Sequence, residues 1–400
     1  MATLVPDLVT TMRQIEFQVE AMRGLEMSVP LTQTVKSRAE FGQYMEAELI
    51  EDYPPEEVEV DTRVLVILDM IPEDLDLHQL LVDLYSSQVL GMYDDEADSF
   101  IVVNEGEFDL LDRMTYAHEY VHGLQDEHFD LTAFIDEDLM TDDEALARIA
   151  LVEGDATLAM SQYFVAEASR ASSEELRALT EETPEGQDAL DAAPAILRET
   201  MAFPYTYGTE FVNAVALGDW AQVNALFADP PSSTEQILHP EKYLEGEEPQ
   251  ILSLPPLTDT LGAGWTRIED NVLGEFQMSI YLDEELDSES AAAASAGWGG
   301  DRYAVYVQGD DDLLALATAW DSEAEQAEFA LAYEEWASAK YGREARRDGD
   351  VRWWETSAQV TALLARDQEA IVVVGPDAEI VARALEALAA AGPADLEQEA

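Results

Sequence analysis

The sequence predicts an α+β protein: a mainly helical first part with a small sheet, then an α+β C-terminal domain with a mostly antiparallel sheet. Three observations predict it. Through the first 245 residues, apolar positions recur at helical spacing, with one short β-rich run, 99-SFIVVN-104, among them. Beyond residue 265, short apolar runs joined by Gly/Asp turns alternate with helical windows. The chain has no cysteine, and 47% of its residues are hydrophobic, so an ordinary apolar core must hold it together.

Element by element, residues 8–50 read as helical, punctuated by Pro30. The run 62-TRVLVILDM-70 reads as a short strand or the start of a helix. Residues 74–89 form an amphipathic helical window. A turn at DDEAD leads into the strand 99–104. A helix carrying histidines spans 109–127. A second long helix, 139–169, opens with a capping box formed by Thr141 and Glu144. The acidic run before it lacks the spacing of a calcium loop. Residues 181–194 are a polar loop, and 204–243 read as two helices broken by Gly218 and Pro230-Pro231.

The segment 245–262, rich in Glu, Pro and Leu, reads as a linker. The Ala/Ser-rich segment 288–300 is helical in its first part. A hairpin at 303–308 and 313–320 precedes a helix at 322–340. Strands at 351–357, 359–366 and 370–375 precede a helix at 376–390. Strands followed by a helix, twice, hint at an internal repeat. The division expected is an N-terminal helical segment (1–60), a larger unit (61–245), a linker (246–265) and the C-terminal domain (266–400).

Charge excludes some partners. Twenty Lys and Arg against 86 Asp and Glu give a net charge of −66, which repels nucleic acid and anionic membrane surfaces. The acids are spread along the whole chain. That favours a solubility device in a salt-adapted setting over one functional acidic surface. No run of about 18 apolar residues exists, so no integral membrane segment is expected. The N-terminus shows no basic stretch followed by an apolar one, so no signal peptide is visible. A soluble protein is expected, with secretion or envelope association left open. Without thiolates, a transition-metal site must draw on His and carboxylates.

The chain has five histidines, and three lie in 115-TYAHEYVHGLQDEHFDL-131. His118 and His122 frame Glu119 as H-E-x-x-H. Four helical residues advance about 40° past a full turn and rise about 6 Å, so both rings face one side and can share a Zn²⁺ ion. Glu119, one step round, is placed to polarise a water on that ion. The immediate neighbours are uncharged, which suits a buried helix in an otherwise acidic chain.

Two residues compete for the third ligand position. His128 stands six residues after His122, the spacing of the metzincin pattern H-E-x-x-H-x-x-G-x-x-H. That pattern needs a glycine to turn the chain, and Gln125 stands there instead. On a continuous helix His128 is about 120° off the metal face and roughly 9 Å further along. The competitor is Glu153 in 150-ALVEGDATLAM-160. It is a carboxylate among apolar residues and needs a partner if buried. Gly154 beside it is expected to let the second helix approach the first. Asp155 is expected to accept a hydrogen bond from a ligating imidazole and fix its tautomer. The reading favours Glu153 over His128.

AHEYVHGLQDEHFDL followed by ALVEGDATL resembles the gluzincin metallopeptidases, and the Glu-Gly-x-Ala run resembles the glutamate motif of the aminopeptidase N group. A closer resemblance, over roughly residues 15–390, is to poorly characterised bacterial and archaeal proteins of the peptidase MA-like kind. It is carried also by 91-GMYDDEADSFIVV-103, 230-PPSSTEQILHPEKY-243 and 298-WGGDRY-303. The resemblance implies a zincin-like catalytic domain at 61–245 and a zinc-dependent peptidase. His118, His122 and Glu153 would be its ligands, Glu119 its general base, and a peptide or protein its substrate. It also implies that SFIVVN is an edge strand beside the cleft, able to hold an extended peptide. His239 is the expected donor to the oxyanion, with Tyr205 and Tyr207 as rivals. Trp298, Trp353 and Trp354 are expected to be core or sheet-edge residues. The alternative from another class is a non-catalytic zinc-binding scaffold, an envelope or adhesion factor acting through its C-terminal module. Retention of Glu119 favours the enzyme.

Overall fold

A computed structural model of the chain describes residues 6–88, 91–94, 99–103, 108–136, 139–181 and 187–391. The turn expected at DDEAD and part of the acidic run before the second long helix lie outside the described residues. The order begins α1 (Pro6–Arg23), β1 (Thr32–Lys36), α2 (Arg38–Asp52), α3 (Pro55–Ile67), α4 (Leu77–Gln88), β2 (Gly91–Asp94) and β3 (Ser99–Val103). Next come α5 (Leu110–Phe129), α6 (Leu131–Phe134), α7 (Asp142–Ala168), α8 (Ser173–Glu181), α9 (Gln187–Ala192), α10 (Ala195–Ala216) and α11 (Trp220–Leu226). Then follow α12 (Thr234–Leu238), α13 (Pro240–Glu245), α14 (Thr258–Leu261), β4 (Thr266–Asn271), α15 (Gly274–Asp283) and α16 (Ser288–Ser295). The chain closes with β5 (Trp298–Gln308), β6 (Asp311–Trp320), α17 (Glu323–Tyr341), β7 (Arg346–Asp348), β8 (Val351–Glu355), β9 (Val360–Arg366), β10 (Glu369–Gly375) and α18 (Ala378–Ala391). The α+β class is as the sequence predicts.

Several local expectations change. Residues 8–50 are not all helical, because 32-TQTVK-36 forms β1. The run 62–70 belongs to helix α3 and its end. The polar segment 181–194 contains the short helix α9. The helix α7 is capped by Thr141, whose hydroxyl accepts the Glu144 N–H. Glu144 does not complete a capping box in return: its carboxylate pairs with Arg148 one turn on, and that charge-assisted contact outcompetes a neutral amide.

The small sheet has the order β1-β3-β2, with β1 parallel and β2 antiparallel to β3. Within SFIVVN, the described strand Ser99–Val103 is therefore central and not an edge. Its side chains show why. Phe100 and Val102 enter a core with α1, α5 and α7, while Ile101 and Val103 pack with Phe41 of α2 on the other face. A run buried on both faces is the pattern of an interior strand. The edge strand beside the histidine helix is β2.

The large sheet is antiparallel throughout, in the order β4-β5-β6-β10-β9-β8-β7. Strands β6 and β10 are its paired centre, and each leads into a helix, α17 or α18. This places the two strand-then-helix units side by side. Trp298 and Trp354 are fully buried in the sheet's core and Trp353 is largely so. One face packs under α18. The opposite face joins α17, α15, α3, α7 and α10 in one continuous core, while Leu257, Leu261 and Trp265 of the segment expected to be a linker pack into the face under α18.

Two features fix α7, the longest helix. Along its middle it crosses α10 through facing glycines. A Cβ built on Gly154 would stand 2.3 Å from the Gly208 carbonyl oxygen, and one on Gly208 would stand 2.0 Å from that of Ala150. Gly154 thus admits α10, not the histidine helix as expected. At its N-terminus, buried Asp143 accepts hydrogen bonds from the Thr234 amide and hydroxyl. Gly274, at φ 72°, leaves room for that carboxylate. Beside it, Asp301 accepts from the amides of Leu273 and Gly274 and from the Trp298 indole. The STEQ and WGGD motifs thus meet at the joint between the helical part and the large sheet.

The tight crossing predicts that Gly208→Ala lowers unfolding free energy by about 1–3 kcal/mol or more, since a backbone oxygen cannot swing aside. Urea denaturation of the two proteins measures it. The joint predicts a pH dependence. Burial pushes Asp143 up to about 7, Asp301 up to about 6 and Glu235 up to about 8. Each then binds its proton more tightly folded than unfolded. Their contribution is full below about pH 4 and is lost as pH rises through roughly 6 to 8. Asp143→Asn keeps the acceptor oxygen and removes the charge. Its stability should fall less between pH 5 and 8 than that of the wild type, and parallel curves would refute this origin.

Candidate metal centre

Helix α5 opens with a capping box in which Asp109 and Asp112 satisfy each other's backbone amides. It then runs unbroken through Gln125 to Phe129. His118 and His122 are both buried on it, with ring centroids 4.7 Å apart at 85°. Their Nε2 atoms lie 3.1 Å apart. Glu153 comes from α7, which packs against α5. Its Oε2 is 3.0 Å from His118 Nε2 and 3.4 Å from His122 Nε2. In a tetrahedral site with bonds of about 2 Å, neighbouring donors stand roughly 3.3 Å apart. The three separations match that spacing.

A second observation tests the fit. Glu153 Oε2 is buried and no hydrogen bond reaches it. A buried anionic oxygen without a donor is costly, and a divalent cation between it and the two rings removes that cost. Two imidazoles and one carboxylate, all within 4.8 Å of one another, leave a fourth position open. Among the described residues, Glu235, Glu247 and Asp321 also converge, but Lys242 Nζ already fills that cluster, bonded to all three.

Electrostatics couple the three groups closely. Burial alone would lower the His122 pKa, but the Glu153 carboxylate outweighs it and takes the ring up to about 9. Glu153 is itself held far below the usual carboxylate range, because the two rings overcome its burial. Glu119 is pushed up, mainly by burial. One of its oxygens accepts the Tyr93 amide of β2 at 3.1 Å, so the edge strand orients it. Tyr93 Oη also donates to Asp126 of α5 at 2.9 Å, which fastens β2 to the histidine helix.

The other expected residues separate clearly. His128 Nε2 lies 3.1 Å from the Glu26 carbonyl oxygen, beyond the end of α1. The helix continues past Gln125, so this ring points away from the cluster. Asp155 does not touch an imidazole. It is fully buried and accepts from Arg23 Nε at 2.8 Å, from Arg23 Nη2 at 3.0 Å and from Gln125 Nε2 at 2.9 Å. Gln125 Oε1 takes the place expected for Asp155, 2.8 Å from His122 Nδ1. An arginine fork occupies the carboxylate, and only the neutral amide has an oxygen left for the ring.

His239 is also elsewhere. It sits between α12 and α13, and its Nε2 pairs with Glu275 Oε1 at 2.9 Å. That joint lies at the Asp143 end of α7, ten residues and roughly 15 Å along the helix from Glu153. Buried Glu275 needs a cationic partner, and His239 is raised by that hydrogen bond. Tyr205 instead approaches the cluster. Its ring centroid is 6.0 Å from that of His118, and its hydroxyl is raised, by desolvation first and then by the nearby Glu153 and Glu119 carboxylates. The Gly154–Gly208 crossing makes this possible, since Tyr205 lies one turn before Gly208 on α10.

Residues 261–385 match the model of a family described as a domain of unknown function, DUF8575. The match covers the large sheet with its helices and none of α5 or α7. No curated protein and no solved structure matches the chain.

Sequence reasoning missed Gln125 as a partner and Arg23 altogether. A signal for Arg23 was present. It continues the buried stripe Met12, Ile15, Val19 of α1 at helical spacing, and a cation on such a stripe requires a buried acceptor. Nothing in the order of residues marks Gln125 as more than a helix-continuing residue.

The geometry predicts a contrast in metal uptake. Glu153→Ala should weaken zinc binding by more than the roughly 10–100-fold that loss of a supporting residue costs. His128→Ala should leave it unchanged. Chelator competition on the two proteins measures both, and the reverse result would move the third ligand to His128.

Proposed function

We propose that the protein is a zinc-dependent peptidase of gluzincin type, with His118, His122 and Glu153 as ligands. The observation that carries this is the orphaned Glu153 oxygen set 3.0 and 3.4 Å from two imidazole nitrogens, with Glu119 on the same helix between them. A zinc ion held by these three residues would supply Lewis acidity toward a water and a carbonyl group. The chain's own residues supply proton transfer and orientation. Glu119 has one oxygen fixed by the Tyr93 amide. Its carboxylate is poised by burial to take a proton from the attacking water and return it to the leaving amine. Tyr205, with its ring 6.0 Å from that of His118, takes the role first expected of His239. It can give a hydrogen bond to the carbonyl oxygen as negative charge develops there.

A peptide or protein is the substrate class that this chemistry and the motif resemblance favour. An acidic surface of −66 disfavours polyanionic partners. Among the described residues no helix is long and apolar enough to cross a membrane.

Glu119→Gln tests the reading. The variant should retain zinc and lose about 10²–10⁴-fold in hydrolysis of a quenched fluorescent peptide library. Equal activity of the two proteins would place the chemistry elsewhere. Hydrolysis by neither protein, with zinc bound by both, would favour the scaffold alternative.

A further inference from the structure

We infer that Gln125, Asp155 and Arg23 form a buried positioning chain that holds His122 with its proton on Nδ1 and its Nε2 turned to Glu153. The inference deepens the proposed metal centre and rests on it for its functional meaning. Its structural core stands on hydrogen-bond bookkeeping alone.

The orientation of the Gln125 amide decides the matter. Its nitrogen lies 2.9 Å from the Val152 carbonyl oxygen and 2.9 Å from Asp155 Oδ2. Both neighbours are acceptors, so both N–H groups have partners in this orientation and neither would in the flipped one. The amide oxygen is thereby left facing His122 Nδ1 at 2.8 Å. An oxygen that can only accept requires a donor, so Nδ1 carries a proton. His122 Nε2 is then the ring atom that faces the cluster, 3.1 Å from His118 Nε2 and 3.4 Å from Glu153 Oε2, and the one whose lone pair a cation would take. All three side chains of the chain are fully buried, so water cannot substitute for any link.

Arg23 anchors the far end. Its fork holds both Asp155 oxygens, its Nη1 donates to Asn224 at 2.7 Å, and its guanidinium lies 4.8 Å over the Trp220 ring. Asp155 accepts from Arg23 and from Gln125 at once, and the guanidinium makes a buried carboxylate tolerable there. The approach of α1 is itself fixed. Tyr116 and Tyr120 of α5 donate to Glu16 and Glu20 of α1 at 2.6 and 2.9 Å. A residue 132 positions from Asp155 thus governs the aim of a ligand. Arg23 and Gln125 touch no reacting atom, so they are positioning residues.

Proton NMR of the metal-free full chain tests the structural core. A slowly exchanging His122 Nδ1–H resonance, identified by its loss in His122→Gln, should be present in the wild type. It should be absent or fast-exchanging in Gln125→Met, a substitution of similar volume. Arg23→Met leaves Asp155 buried and unpaired and can unfold the chain, so Arg23→Met/Asp155→Leu is its neutral counterpart. That pair should fold and show weakened protection of the same proton. Zinc affinity by chelator competition should fall about 10–100-fold in Gln125→Met, with unchanged far-UV circular dichroism. A free Nδ1–H in the wild type, or equal protection in Gln125→Met, would overturn the inference. A protected proton in a wild type that takes up no zinc would fail the metal reading alone and leave the orientation standing.

Discussion

The buried pair between Arg23 and Asp155 is the contact on which the arrangement of the helical half turns. Neither group reaches water, and desolvating both costs several kcal/mol per ion before their attraction is counted. A pair of that kind adds little net stability over an apolar replacement, but removing one partner alone is severe. What the pair contributes is definition. The fork fixes Asp155, Asp155 fixes the Gln125 amide, and the amide fixes which nitrogen of His122 faces Glu153. Helices from four places in the chain (α1, α5, α7 and α11) meet there with one permitted set of hydrogen bonds.

Helix α7 carries this contact, and its other two attachments explain why it is placed so closely. On one side the Gly154–Gly208 crossing brings backbone against backbone with α10, tighter than any side chain would allow. That closeness brings Tyr205 beside the His118 ring. At its start, Asp143 is held by Thr234 and lies against the Gly274 turn that Asp301 organises. The large sheet therefore braces the helix that carries Glu153 from about three turns away. Its residues sit at the joint, and the candidate ligand set comes wholly from α5 and α7.

Much of this was legible in the residues. The H-E-x-x-H spacing fixes two side chains on one face of a helix whatever the fold around it. Glu153 was legible because an acid among Ala, Leu and Val on a long helix must find a partner. The helices α5, α7, α17 and α18 and the strands β5, β6, β8, β9 and β10 follow their periodicity. The failures have a shared cause: they depend on which element lies next to which. The segment TQTVK carries no strand signal strong enough to stand alone and pairs only because β3 offers an edge. SFIVVN could be known as a strand, but its central place required the covering layers on both faces. Asp155 was expected to hold a ligating imidazole, and His239 to donate to the oxyanion. Each is held instead by a group distant in the chain, Arg23 in one case and Glu275 in the other.

The excess of acid makes the few cations informative. In a chain of net charge −66, exposed carboxylates repel one another and salt relieves that repulsion. A basic residue on the surface has an abundance of possible partners and so carries little structural meaning. The buried and bridging ones are different. Arg63 ties α3 to the β5–β6 turn through Asp312 and the Gly309 carbonyl. Lys340 reaches Asp69 at the end of α3. Lys242 gathers Glu235, Glu247 and Asp321. Each joins elements far apart in sequence, and each neutralises carboxylates that the packing forces together. Arg23 is the extreme case, a cation placed on the apolar stripe of the first helix with no exposure at all. Among 86 acids, Asp155 is distinguished by that placement. It is the acid that a buried guanidinium selects, and through Gln125 it is the one coupled to a histidine of the candidate metal centre.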